Sequence, residues 1–172
     1  EIEVKRVLDI RDFPDHPQKE LFTKDFNDIL NDTEISVVAE TMGGLHPAYE
    51  FTKALLEAGK SVTTSNKELV AAKGAELIKI ANEKGVSFLF EASVGGGIPA
   101  LTAIQEALAG NDFSEVMGIL NGTTNYILTK MTDLGLDYND VLKDAQEKGF
   151  AEADPTADVE GIDVANKLSI LM

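Results

Sequence analysis

Short β-rich runs alternate with helical stretches through the first half of this chain, and that alternation limits the fold more than any other feature. The β-rich runs cover residues 2–8, 35–39, 61–64 and 86–90. Between them lie a short amphipathic stretch near residues 26–30, a helix over 47–58 and another over 67–84, the last two stopped by Gly59 and Gly85. Four strands joined by helices at this spacing require right-handed crossovers and a parallel sheet, so the fold class is α/β.

The texture changes after Val94. Gly95-Gly96-Gly97 followed by Pro99 reads as a hinge or a close backbone approach, which places a domain boundary there and divides the chain into residues 1–97 and 98–172. Beyond it the pattern predicts a helix over 100–108, a strand over 115–120, helices over 124–132 and 138–147, an acidic loop, and a final helix from residue 161. A dinucleotide-binding sheet normally opens with G-x-G-x-x-G, and this sequence contains none. The chain starts without Met and stops inside the apolar run 168–172 with no capping residue, so it is expected to be a segment of a longer protein.

Composition narrows the partners. A net charge of -15 opposes phosphate backbones and anionic bilayers alike, so neither nucleic acid nor membrane is expected as a partner. No apolar run approaches the roughly 20 residues of a bilayer span, no signal peptide opens the chain, and cysteine is absent, which together predict a cytoplasmic protein without disulfides or thiolate metal sites. His16 and His46 lack a second ligand at zinc spacing and read as surface or turn residues. In so acidic a chain, any site for an anionic ligand must be built locally from helix N-termini and a few lysines or arginines.

Five motifs carry candidate chemistry, each with a plainer alternative. Val37 to Gly44 runs from a strand into a Gly turn, where Gly43 and Gly44 let a ring or ribose approach the backbone; the alternative is an ordinary strand-to-helix turn. Thr63 to Glu68 sets Lys67 at a helix start, a position that eases proton loss and suits an anion or carbonyl, or else Ser65 or Asn66 is a cap and Lys67 is solvated. Glu91 to Pro99 combines a carboxylate with pliable backbone carbonyls, a donor set for sodium or potassium, against the alternative of a hinge with Glu91 paired to a lysine. Gly118 to Tyr126 enters a helix through small residues whose amides can hold a carboxylate, or simply through a Thr123 or Thr124 cap. Gly149 to Lys167 places Asp163 and Lys167 four apart on one helix face, among apolar neighbours that predict burial; on a solvent face the pair would be trivial.

These five segments, in this order and at these distances, closely resemble homoserine dehydrogenase over nearly the whole chain. The resemblance implies a partial Rossmann-type parallel sheet followed by the start of an α+β substrate and dimerisation domain. It also implies reversible NADPH- or NADH-dependent reduction of L-aspartate 4-semialdehyde to L-homoserine, on the route to threonine, isoleucine and methionine, by a homodimer. Carried over by motif position, Thr41, Lys67 and Gly149 lie at the cofactor. Gly122, Thr123, Glu152, Asp158 and Asp163 surround the amino-acid substrate, with Glu152 and the aspartates facing its ammonium. Lys167 matches the proton donor, Lys67 is a competing or assisting candidate, and Asp163 orients Lys167 or binds substrate. Glu91 with the carbonyls of Val94, Gly96 and Ile98 matches a monovalent-cation loop.

Two departures bear on this. Phe150 stands where many relatives carry Tyr, which implies loss of a substrate-facing hydroxyl; the glycine fingerprint is missing, so the segment alone is expected to bind dinucleotide poorly and to be inactive. Asp9 suits a ribose hydroxyl and Arg11 a 2′-phosphate, leaving NAD and NADP both open. A non-catalytic binding or assembly module, or a dehydrogenase of another small amino or oxo acid, stand as the alternative readings.

Overall fold

In the computed structural model, which describes residues 2–172, the chain forms two compact units, Glu1–Phe90 and Glu91–Met172. The first is built as the alternation predicts. The short helix α1 (Asn27–Leu30) precedes strand β3 (Val37–Glu40), which is followed by α2 (Ala48–Glu57), β4 (Ser61–Thr64), α3 (Lys67–Lys84) and β5 (Phe88–Leu89), and the strands form a parallel sheet in the order β3-β4-β5. Register is fixed by Glu40 opposite Thr64 and Val62 opposite Phe88, so the carboxyl ends of β3 and β4 finish level. Leu55 and Leu56 of α2, Val62 of β4, and Leu69 and Leu77 of α3 are buried together in the core of this unit, each worth about 1.5–3 kcal/mol of transfer free energy. Tyr49 Oη donates to Glu76 and Lys53 donates to the same carboxylate, fastening α2 to α3 at the surface.

Three predicted strands are shorter and one was not anticipated. The run 2–8 narrows to β1 (Val7–Leu8), which pairs in parallel with β2 (Phe22–Thr23) to form a separate two-stranded sheet. Two residues are too few for alternation to be visible, so β2 left no pattern in the sequence. Helix α3 begins and ends where expected: the Asn66 side chain accepts from Leu69 N–H at its start, and Gly85 adopts φ +68° at its end, the left-handed position for which glycine is the ready choice.

The second unit is helical among the described residues. It contains α4 (Ala92–Gly95), a π-helical turn (Ala103–Ala107), α5 (Gly122–Leu134), α6 (Tyr138–Glu147), α7 (Thr156–Val159) and α8 (Ile162–Leu171). Ile127, Val141, Ala145 and Ala151 form its core, with Tyr126, Met131 and Leu142 packed around them. The strand expected over residues 115–120 is absent. That segment runs as irregular chain with Met117 83% and Ile119 80% exposed, because a strand needs a ladder partner and no described residue of this unit offers one. The acidic loop before α8 carries α7, started by Asp154, whose carboxylate accepts from both the backbone N–H and the hydroxyl of Thr156. Those two bonds, the hydroxyl first, hold the Asp154 carboxyl below its ordinary range.

Candidate functional site

In the first unit the candidate residues gather at the carboxyl edge of the β3-β4-β5 sheet. Thr41 follows the last residue of β3 and is exposed; Lys67 opens α3 directly after β4 and is half-buried. Between them sits Glu40, only 5% exposed, whose carboxylate accepts from Met42 N–H at 2.6 Å and from the Thr64 hydroxyl at 2.5 Å. Asn66 adds a second tie by donating its side-chain N–H to the Gly44 carbonyl at 2.7 Å. The turn after β3 is therefore clamped to the start of α3 by buried side chains, and Gly44 completes it with φ +74°. A Cβ at Gly43 or Gly44 would meet no atom within 4 Å, so the edge beside Thr41 is open to a flat ligand. Asn66 is the cap offered as one alternative for its motif, whereas Glu40 lies within the first motif with no role assigned to it; a carboxylate at the end of an apolar strand was the signal available.

A second feature of this unit is an open cavity of about 400 Å³ at the carboxyl ends of β1 and β2, lined by Asp9, Arg11, Phe13, Lys19, Phe22 and Lys24 among others. Arg11 donates to Asp9 through its backbone N–H, Nε and Nη2 at 2.9, 3.0 and 2.8 Å. The Arg11 guanidinium, with its backbone N–H, pulls the Asp9 carboxyl down to about 2. The two residues proposed to discriminate between dinucleotides thus hold each other.

The second unit brings together residues far apart in sequence. Lys167 Nζ donates to Asp163 Oδ2 at 2.8 Å and to the Leu120 carbonyl at 2.8 Å. Asp163 is 4% exposed, and the same Oδ2 accepts from Asn121 Nδ2 at 2.9 Å. Asn121 Nδ2 also donates to Asp158 Oδ1 at 2.7 Å. Asp158, Asp163 and Lys167 therefore form one network, knotted through the residue that caps α5. Burial of the final helix is not what the sequence suggests. Ile162 is 49% exposed and Ala165 is exposed, while the polar Asp163 is the buried residue, since its partners on Asn121 and Lys167 satisfy it there.

Thr123 is buried and donates its hydroxyl to the Phe150 carbonyl at 2.7 Å, and Gly122 is the exposed first residue of α5. Gly149 ends the turn after α6 at φ +75°. The carbonyls of Glu152 and Ala153 accept from Gln146 Nε2, leaving the Glu152 carboxylate at an exposed position. Phe150 lies against the Tyr126 ring with centroids 4.8 Å apart, and Tyr126 Oη bonds to Asp144 and Lys148. Asp144 and the Tyr126 hydroxyl raise the Lys148 ammonium to about 12, and Lys148 first, then Tyr126, lower the Asp144 carboxyl.

Glu91 accepts from the backbone N–H of Leu101 and Thr102, both at 2.8 Å, and from the Thr102 hydroxyl at 2.5 Å. These bonds, the hydroxyl first, hold its carboxyl below the ordinary range and use it as the cap of the following helical turn, not as the partner of a lysine. The Ile98 carbonyl accepts from Ala100 N–H at 2.9 Å. A cation coordinated by Glu91, Val94, Gly96 and Ile98 would share the Glu91 carboxylate and the Ile98 carbonyl with existing donors, which fits a weakly held monovalent ion better than a divalent one.

Comparison with known proteins bears on both units. Residues 1–91 match the family model described as the NAD binding domain of homoserine dehydrogenase, and residues 99–172 match the homoserine dehydrogenase model. The homoserine dehydrogenase of Bacillus subtilis is 44% identical over 171 residues, covering 99% of this chain and 38% of that protein. That of Pseudomonas aeruginosa is 50% identical over 149 residues, covering 87% of this chain and 34% of that protein. Among solved structures, the enzyme from Thiobacillus denitrificans superposes with a TM-score of 0.84 at 49% identity, covering 87% of this chain and 35% of that one. A hyperthermophilic archaeal homoserine dehydrogenase in complex with NADPH superposes with a TM-score of 0.83 at 29% identity, covering 91% and 48%. The chain spans little more than a third of the length of these curated relatives. With the NAD-binding model covering more than half of the sequence and the second model taking up the helical unit, the chain belongs to the homoserine dehydrogenase family.

Proposed function

We propose that the full-length protein catalyses reversible reduction of L-aspartate 4-semialdehyde to L-homoserine with NADPH or NADH, as a cytoplasmic homodimer serving threonine, isoleucine and methionine synthesis. The observation that carries this reading is the network of Asn121, Asp158, Asp163 and Lys167 in a chain of this family.

The residues support a division of labour. An ammonium has three N–H bonds, and Lys167 gives two of them to Asp163 and the Leu120 carbonyl. The third is aimed at substrate, where it donates a proton to the alkoxide oxygen as reduction proceeds and recovers it in the reverse direction. Asp163 orients that lysine, and Asp158 and Glu152 offer carboxylate oxygens to the substrate's ammonium. Gly122 and Thr123 at the start of α5 meet its carboxylate, where backbone amides point outward. When bound, the dinucleotide supplies or accepts the hydride. Thr41 and Lys67 flank the open edge beside Gly43 and Gly44, with Gly149 as a further cofactor contact, and Lys67 is the competing or assisting proton donor. The cavity at Asp9 and Arg11 suits the adenosine ribose, the carboxylate for NAD and the guanidinium for the 2′-phosphate of NADP. Glu91 and the carbonyls of Val94, Gly96 and Ile98 hold a sodium or potassium ion, with Glu91 kept ionised by its hydrogen bonds. The 172 residues by themselves are inactive, since the glycine-rich pyrophosphate turn is not among them.

Turnover of the full-length protein with aspartate semialdehyde, followed by nicotinamide absorbance with each reduced cofactor, tests this. Activity at about 1–1,000 per second is expected with at least one of them. Absence of turnover with both, or faster reduction of a different oxo acid, overturns the reading.

A further inference from the structure

We infer that Asn121 is a positioning residue whose carboxamide sets Asp158 and Asp163 against each other and holds Lys167 in its working orientation, an inference that rests on the function just proposed.

A carboxamide has two N–H donors and an oxygen with two acceptor sites, and Asn121 uses all four. Its nitrogen gives one hydrogen to Asp158 Oδ1 and the other to Asp163 Oδ2, while its oxygen accepts from the backbone N–H and the hydroxyl of Thr124 at 2.8 and 2.9 Å. The orientation of the amide is fixed by chemistry: Thr124 N–H is a donor and must face oxygen, so nitrogen faces the carboxylates. The side chain is only 6% exposed, so water does not substitute readily for any of these partners.

Helix capping does not explain the choice of residue. Ser, Thr or Asp would cap α5 as well, and Asp would add a favourable charge at the helix N-terminus. What only the amide provides here is a pair of donors where two carboxylates converge. An Asp at this position would set a third negative charge against them, and a Ser would leave them without a shared donor. The same segment reaches the lysine directly, since Leu120, the preceding residue, supplies the carbonyl that accepts from Lys167 Nζ. Asn121 therefore links the start of α5 to Asp158 on α7 and to Asp163 and Lys167 on α8. With Asp158 Oδ1 drawn to the amide, its other oxygen is the one presented to a ligand ammonium. Asp163 is engaged at Oδ2 by Asn121 and Lys167 together, which assigns it to orientation of the lysine.

The test uses the full-length protein and the variants Asn121→Ser and Asn121→Asp. Ser keeps the cap and removes the tie; Asp keeps the cap and the size but reverses the tie. For Asn121→Ser we expect KM for homoserine to rise about 10- to 100-fold and kcat to fall about tenfold, with KM for the dinucleotide within about twofold of wild type. For Asn121→Asp we expect the acid limb of kcat/KM to move to higher pH by about one unit, because a third carboxylate makes ionisation of the cluster harder. Wild-type KM and an unmoved acid limb in both variants would overturn the inference while leaving the functional reading intact. A parallel rise in both KM values would overturn it too, by reducing Asn121 to a structural cap. Failure of the wild-type protein to oxidise homoserine would instead remove the reading on which it rests.

Discussion

The two units hold their candidate residues in opposite ways. At the sheet edge of the first unit, Thr41 and Lys67 take their places from strand register: once Glu40 stands opposite Thr64, the residues after each strand sit side by side, and Glu40 and Asn66 need only lock the turns. In the helical unit nothing like a ladder aligns the site. Leu120, Asn121, Asp158, Asp163 and Lys167 meet through side-chain hydrogen bonds spanning 37, 42 and 47 positions of sequence, the last from Lys167 to the Leu120 carbonyl. A sheet edge positions ligands by backbone repeat and tolerates change in single side chains, whereas a site tied by a few buried polar groups fails when one of them is altered.

Changes at Lys167 should break this comparison most sharply. Lys167→Ala in the full-length protein is expected to lower homoserine turnover by about 100- to 10,000-fold, the range of general acid-base contributions, with little change in cofactor dissociation constant. Lys167→Arg keeps the charge beside Asp163 but cannot release a proton, so turnover should fall nearly as far while the melting temperature stays close to wild type. Retention of turnover in the Arg variant would move proton transfer elsewhere, Lys67 being the next residue to test.

Glu40→Gln probes the sheet edge with a smaller effect. Its buried carboxylate holds a backbone N–H and a hydroxyl, and the amide can accept from only one of them well, so a loss of about 1–3 kcal/mol in denaturant stability is expected. Cofactor KM should rise while homoserine KM moves less, the reverse of the pattern for the helical unit. Equal rises in both would show that the two regions do not divide the work in this way.

The smallest effect concerns the half-buried Tyr126 and Asp144 with the exposed Lys148, a cluster that buttresses Phe150. Because the Asp144 carboxyl is lowered, its contribution is present above 3.8, the ordinary carboxyl value, and is lost as pH falls below that. Lys148, raised to about 12, contributes fully below 10.5 and loses its share only as pH climbs towards 12. The melting temperature of Asp144→Asn should therefore lie slightly and evenly below wild type from pH 5 to 9, and the two curves should converge in acid. A gap that widens in acid would contradict this.

Local signals were legible where the chain's own neighbours decide the outcome. The strand over residues 61–64 and the helices over 67–84 and 138–147 follow from periodicity, and the ends of the longer helix from Asn66 and Gly85, whose caps act within a few residues. The i,i+4 pairing of Asp163 with Lys167 follows from helical geometry. Other features depended on distant partners. Residues 115–120 have the composition of a strand and form none, since a ladder needs a second chain segment, and the pairing of Phe22–Thr23 with β1 left no trace in so short a run.

Sequence alone thus determined the alternating parallel architecture of the first unit and the ends of its main helices, because period and capping residues are properties of neighbours along the chain. Only the tertiary structure decided that Asn121 is the knot joining two carboxylates and a lysine, that Glu40 clamps the sheet edge, and that Asp163 is buried while the apolar residues beside it are not. Burial and long-range hydrogen bonding are set by which segments meet in space, and a buried polar group is stable only where the fold brings it every partner it needs.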